Sequence, residues 1–166
     1  MDDATARLAL PLLEAGQAQK EIAHNEALAM LDIAVQAIVQ AGPTDQPPAA
    51  PAIGACWIVG TAPQGAWVGQ AGRVAGWTGT GWRFVVPQPG WCAWDAIARQ
   101  EWRLTAAGWE RGVVRAERVT IGDRQVVGAR RPAIPDPLGG TTVDGEARAA
   151  LAKVLDTLRQ HGLIEP

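Results

Sequence analysis

Tyrosine is absent from this 166-residue chain and phenylalanine occurs once, so its aromatic content is almost entirely tryptophan. All eight tryptophans lie between Trp57 and Trp109, and both flanks have none. Lysine is scarce as well. Of fifteen basic residues only Lys20 and Lys153 are lysines, which leaves the positive charge to planar guanidinium groups suited to bidentate and stacking contacts; a GC-rich coding bias is the simpler source of that preference. Neither sign of charge dominates. Seventeen acids against fifteen bases give a net charge of −2, and without a basic block there is no electrostatic footprint for nucleic acid. Long apolar runs are missing, so no segment reaches the roughly 18–20 residues of a membrane span. The first residues include two aspartates where a secretory leader would carry positive charge. Synthesis in the cytoplasm without membrane insertion is expected.

Catalytic and ligand-binding residue types are equally thin. The two histidines, His24 and His161, are read as a capping residue before the first helix and a C-terminal dipole residue of the last. Cys56 and Cys92 stand far apart with no histidine beside them, which does not make a zinc ligand set; buried thiols are expected, with a disulfide as the alternative in an extracellular particle. No GxxxxGK[ST] occurs, and Gly69, Gly72 and Gly76 do not form a dinucleotide fingerprint. No cofactor or metal is expected. Asp95, Glu101 and Glu110 are the candidates for a glycosidase pair, since two carboxylates about 5–10 Å apart suffice for that chemistry. Arg99, Arg103 and Arg111 stand beside them and would hold their pKa values down, which is wrong for a general acid. The chain is therefore read as a non-enzyme without catalytic residues, and depolymerisation through Asp95 and Glu101 is the enzymatic alternative.

What is present is ordinary globular material, 48% apolar and 19% charged, in one domain's length with an arm at each end. Leu8, Leu10, Leu12 and Leu13 are interrupted by Pro11 and Gly16, so residues 1–24 read as a partly extended arm. Asn25 as N-cap, Glu26 in the first turn and Leu28, Leu31, Val35 and Ile38 at helical spacing predict an amphipathic helix ending before Gly42. Met30, Ala34, Ala37 and Val39 widen its apolar face, which fits packing on its own domain or on a neighbouring subunit. Residues 1–41 form this first region and residues 42–54, with four prolines, a stiff linker.

From residue 55 to 130 the period falls to two, with turn signals every 8–12 residues, predicting a small Trp-rich antiparallel sheet or barrel of seven to nine strands. The expected strands are Cys56 to Val59, one starting at Ala66 to Val68, Arg73 to Trp77, Trp82 to Val86, Trp91 to Asp95, Glu101 to Leu104, Gly108 to Arg111 and a pair around Gly122 and Asp123. Residues 131–166 read as an extended, proline-punctuated segment and a terminal helix. Thr141 and Asp144 mark its start at capping-box spacing, Ala147, Leu151, Val154 and Leu158 make an apolar stripe, and Gly162 with Leu163 makes a Schellman ending. The fold class expected is α+β.

Two functions follow from these residues. A stripe of about two heptads is marginal alone in water, so Leu151, Val154 and Leu158, with Leu28, Leu31, Val35 and Ile38 of the first helix, are candidates for a homo-oligomer interface. Exposed indoles offer flat platforms for pyranose rings, with Trp77, Trp82, Trp91 and Trp94 as candidates and Arg83 and Arg99 as polar partners. Against this, a small sheet with few other large side chains uses tryptophan as core bulk.

The segments LPLLEAGQAQKEIAHNEALAMLD, CWIVG, GAWVG and VAGWTGTGWRFVVPQPGW, with a weaker GWERG, resemble a domain of uncharacterised function in virion proteins of alphaproteobacterial phages and gene transfer agents. The similarity is nearest to head-spike base or fibre components. The ending, VVGARRPAIPDPLGGTTVDGEARAALAKVLDTLRQHGLI, is similar to a C-terminal segment of phage appendage proteins. The resemblance implies a structural subunit of a phage-like particle, a spike base or connector that joins other virion proteins to a fibre meeting host capsular polysaccharide. It supplies no catalytic residues. A trimer would suit a fibre and a pentamer a capsid vertex, and incorporation into the particle would follow cytoplasmic synthesis.

Overall fold

The computed structural model describes residues 4–16, 19–142 and 144–166. Residues 1–3, 17 and 18 of the expected arm, and Val143 ahead of the terminal helix, lie outside the described residues. The chain divides into two units, Met1–Val113 and Val114–Pro166, and its class is α+β.

In the first unit, helix α1 spans Lys20–Ala34, earlier at both ends than its spacing predicts. Asn25 is not the cap. Its amide lies inside the helix, accepting the N–H of Leu13 and donating to the Leu13 carbonyl, each at 2.9 Å, so it ties the arm to α1. His24 is also within α1 and exposed. The carbonyls at and just past its C-terminal end are satisfied by the arm. The Arg7 guanidinium donates to the carbonyls of Asp32, Ile33, Val35 and Gln36, acceptors that a helix end leaves unpaired. Gln36 then turns at φ +46°, and Ile38–Val39 becomes strand β1. Of the expected helical stripe, Leu28 is half-buried while Leu31, Val35 and Ile38 are exposed; α1 instead buries Asp32 and Ile33.

Strands β2 (Cys56–Ile58), β3 (Val74–Thr78), β4 (Gly81–Val85), β5 (Cys92–Asp95), β6 (Gln100–Thr105) and β7 (Gly108–Arg111) complete a sheet of order β4-β3-β2-β1-β5-β6-β7. β1 is parallel to both neighbours, and every other pair is antiparallel. Among the described residues no ladder joins β4 to β7, so this is an open sheet and not a barrel. The expected strand at Ala66 to Val68 is a 3-10 turn, Gly65–Trp67, entered through Gly65 at φ +56°. The proline-rich stretch is strapped along β2: the Thr44 N–H donates to the Ile58 carbonyl at 3.1 Å, and the Gly60 N–H to Thr44 at 2.8 Å. Gly42 lies so close to the Trp102 indole that a Cβ would overlap it.

One turn device recurs. In the hairpins β3–β4 and β6–β7 a threonine ends the first strand and a glycine starts the second, with two residues between. Thr78 Oγ1 donates to the Gly81 carbonyl at 2.8 Å, and Thr105 Oγ1 to that of Gly108 at 2.9 Å. Both glycines have positive φ, +145° and +121°, where a side chain would be strained. A tryptophan follows each, giving the pattern T-x-x-G-W twice.

The pleat sorts side chains onto two faces. On one, Val39, Cys56, Ile58, Val74 and Ala93 pack with Ile33 and Ala37, flanked by Val85, Trp102 and Trp109. On the other, Val59, Ala75 and Trp67 are buried among Trp57, Trp82 and Phe84.

The second unit holds a hairpin of β8 (Val119–Ile121) and β9 (Arg124–Val127) and helix α2 (Gly145–Gln160). Gly122 and Asp123 both adopt positive φ between the strands, as a tight primed turn requires. Asp144 caps α2 by accepting the Ala147 N–H at 2.9 Å. His161 is the C-cap, and the Gly162 and Leu163 N–H groups return to Arg159 and Leu158, each at 2.9 Å, the expected Schellman ending. The final residues pair back, with Ile164 bridged to Arg131.

Candidate functional site

Two concave surfaces mark the first unit. The larger is a groove of about 1260 Å³ between the arm, α1 and the β3–β4 hairpin. Its apolar lining includes Leu12, Ile22, Ala29 and Ile53. Arg83 and Glu26 pair across it at 2.6 Å, and Thr78 and Thr80 place hydroxyls 3.1 Å apart at its hairpin rim. Arg83 is thus committed to α1, on the face opposite the Trp57–Trp82 cluster.

The smaller surface is a shallow groove of about 310 Å³ lined by Gln36, Ile38, Cys92, Trp94 and Glu101, among others. The register places Ile38, Trp94 and Glu101 side by side on one face of β1, β5 and β6. Trp94 is 48% exposed. Glu101 pairs with Arg103 at 2.7 Å, so an open indole lies beside a carboxylate and a guanidinium. Burial, then a hydrogen bond and the negative charge of Glu101, raise the Cys92 thiol above its ordinary range. Cys92 therefore stays protonated and weakly nucleophilic at neutral pH. Both cysteines are free; Cys56 is buried and Cys92 only half-buried.

The six sugar-contact candidates do not converge. Trp77 and Trp82 are a cross-strand pair with ring centroids 5.0 Å apart and a tilt of 62°. Trp82 also meets Trp67 at 5.1 Å and Trp57 at 5.6 Å. These edge-to-face contacts are the packing that aromatic quadrupoles favour, and they make Trp82 core material. Trp91 is half-buried, and its carbonyl accepts the Leu104 N–H. Arg99 is exposed at φ +54° in the turn between β5 and β6. Of the proposed platforms only Trp94 is open. Ile38, expected as a helix interface residue, is its neighbour on the sheet.

The carboxylates are structural in their contacts. Asp95 is 2% exposed, and it accepts the Ile97 and Ala98 N–H groups and the Trp102 indole N–H at 2.7–3.0 Å. Arg111 lies 3.6 Å from it and over the Trp102 ring at 5.3 Å. Burial pushes the Asp95 carboxyl up, but these donors and the Arg111 charge outweigh it and leave the pKa below the usual value. Glu101 faces the opposite side of the sheet. Sequence spacing pointed to Arg111 as a partner of these acids but gave no sign of the indole donor.

Among the described residues no three His, Cys, Asp or Glu side chains converge as a metal site, and no helix is long and apolar enough to cross a membrane. No curated protein matches the chain. Residues 24–110, which run from α1 into β7, match the family described as protein of unknown function (DUF2793), and the chain belongs to that family.

Proposed function

We propose that this chain is a non-enzymatic structural subunit of a phage-like particle, a spike base or connector that holds a host-recognition fibre. The observation that carries the reading is the second unit. Its described residues bury only Leu155 and Ile164 among the apolar side chains, while every residue of β8 and β9 is exposed. A two-stranded hairpin and a sixteen-residue helix are each marginal in water without a partner, and an assembly subunit supplies one. The resemblance of the arm, the Trp-Gly hairpins and the tail to virion domains points to the same class. Co-sedimentation of the protein with phage-like particles from its source cells tests it. Deletion of residues 141–166 is expected to abolish incorporation while the first unit stays folded, and normal incorporation of the truncated chain would remove the tail from this role.

A second reading rests on Trp94. An indole open on a sheet face beside Glu101 and Arg103 is a carbohydrate-binding arrangement, with the ring meeting pyranose C–H faces and the charged pair meeting hydroxyls; host capsular polysaccharide is the proposed ligand. Calorimetry with capsular oligosaccharides is expected to give heat that Trp94→Ala abolishes. No binding at millimolar saccharide would discard this reading.

A further inference from the structure

We infer that the Trp94 surface is the second of two equivalent seats, the counterpart of the one that α1 fills, and that Arg103 bars a helix from it and leaves it open to saccharide. Which ligand it takes rests on the saccharide reading above; that it is a rebuilt helix seat does not. The sheet consists of two three-stranded repeats, β2-β3-β4 and β5-β6-β7, one on each side of β1. Each opens on G-x-C and closes on T-x-x-G-W. Gly54 and Gly90 have positive φ, +81° and +96°, and their carbonyls accept the thiols of Cys56 and Cys92, each at 3.5 Å. The Gly54 N–H donates to the Trp77 carbonyl and the Gly90 N–H to that of Leu104, both at 2.8 Å. The return bonds, from Trp77 to Ala55 and from Leu104 to Trp91, are 3.0 and 2.9 Å. The ladders then correspond pair by pair: Cys56–Gly76 with Cys92–Arg103, Ile58–Val74 with Trp94–Glu101, and Gly76–Arg83 with Arg103–Glu110.

A two-fold axis along β1 relates the repeats. It keeps strand direction, as the parallel pairing of β1 with both β2 and β5 requires, and it exchanges the faces of the sheet. Val39 stands opposite both Cys56 and Asp95, so Cys92, three residues from Asp95, points to the other side from Cys56. On the first repeat Cys56, Ile58 and Val74 are fully buried with Ile33 of α1. Gly76 admits the helix, since a Cβ there would come within 2.5 Å of the Ile33 side chain, and Arg83 clamps Glu26. At the same places the second repeat has Cys92, Trp94, Glu101, Arg103 and Glu110. Arg103 fills the gap through which Gly76 admits Ile33, and Glu110 would repel the acid that Arg83 attracts. A helix like α1 is therefore shut out. What is left is a shallow surface with an open indole and the Glu101–Arg103 pair at 2.7 Å, which suits the flat face of a pyranose better than a ridge of side chains.

Giving the second repeat the residues of the first tests this. Trp94→Ile, Glu101→Val, Arg103→Gly and Glu110→Arg in the full chain should create a helix seat. By calorimetry that variant should bind a synthetic peptide of residues 19–36 about tenfold or more tighter than the wild type does, and it should lose the heat that capsular oligosaccharides give with the wild type. If it also loses the near-ultraviolet circular dichroism of its remaining tryptophans, Arg103→Gly with Glu110→Arg takes its place; this pair keeps Trp94 and Glu101 and should still bind the peptide more tightly than the wild type. No gain in peptide binding by a folded variant would overturn the second seat, even where the wild type binds oligosaccharide. A gain in peptide binding with no oligosaccharide binding by the wild type would uphold the seat and overturn its saccharide ligand.

Discussion

Arg7 and Asp32 hold each other twice, and through them the arm closes the end of α1. The Asp32 carboxylate accepts the backbone N–H of Arg7 at 3.1 Å, while the Arg7 guanidinium donates to the backbone carbonyl of Asp32. The same carboxylate accepts the Thr5 hydroxyl at 2.8 Å and the Leu8 N–H at 2.7 Å. Asp32 is buried, so removing its oxygens takes the acceptor from three donors at a half-buried site. Asp32→Ala should cost about 3 kcal/mol, read as a lower denaturant midpoint by tryptophan fluorescence, with faster hydrogen exchange at Leu8. Exchange at Leu8 as slow as in the wild type would show that the arm is held by something else.

The tryptophans divide by burial, and their substitutions should divide in the same way. Trp67 is 0% exposed and packs against Trp57 and Trp82, so Trp67→Ala opens a cavity and should lose about 3–5 kcal/mol. Trp94 stands on the sheet surface. Its replacement by alanine should change stability by less than about 1 kcal/mol. Equal losses from urea titrations of the two variants would mean that Trp94 is covered in solution, as an assembled partner would cause.

The sequence is legible wherever local chemistry decides. The Asp144 cap, the Gly162 ending, the turn at Gly122 and Asp123 and most strands of the sheet follow from residues within a few positions of one another. Misplaced elements depend on partners far along the chain. The carbonyls at the end of α1 are satisfied by Arg7, about 25 residues upstream, and β1 is a strand because Val39 sits between Cys56 and Asp95. Ile38 shows why spacing alone misleads: one apolar residue fits the helical stripe and the sheet equally well until the pairing is known. The candidate site was legible only in part. Trp94 is the candidate indole that stays open, but no periodicity separates it from Trp82, whose packing depends on the turn bearing Trp67.

Alkaline pH should destabilise the first unit through Cys56. Burial, partly opposed by the Arg7 charge and aided by Asp32, pushes this thiol from 9.0 up to about 11. Between those values the unfolded chain releases the proton and the folded chain keeps it. The folded state then binds more protons, so stability falls as pH rises, by roughly 3 kcal/mol once both forms have ionised. Below pH 9 the group contributes no slope. Denaturation of the wild type and Cys56→Ala across pH 8–11 should therefore show a difference in stability that changes with pH in favour of the variant. Parallel curves would mean that the thiol is not shielded.

Limited trypsin digestion should separate the two units. Residues 113–118 are exposed and belong to no helix or strand, and they contain Arg115 and Arg118. Cleavage needs backbone that can leave its surroundings, and several arginines of the first unit are held in place. Arg103 and Arg111 are in ladders. Arg99, though exposed, sits in a turn whose N–H groups at Ile97 and Ala98 are held by Asp95 at 3.0 and 2.7 Å and whose own N–H returns to the Asp95 carbonyl at 2.9 Å. The family match ends at residue 110, just before this junction. Mass spectrometry should find a first product ending at Arg115 or Arg118 that keeps all eight tryptophans and the wild-type fluorescence maximum. If the first cut falls at Arg99, the Asp95 turn opens more readily than the junction, and Asp95→Asn should then accelerate that cut further.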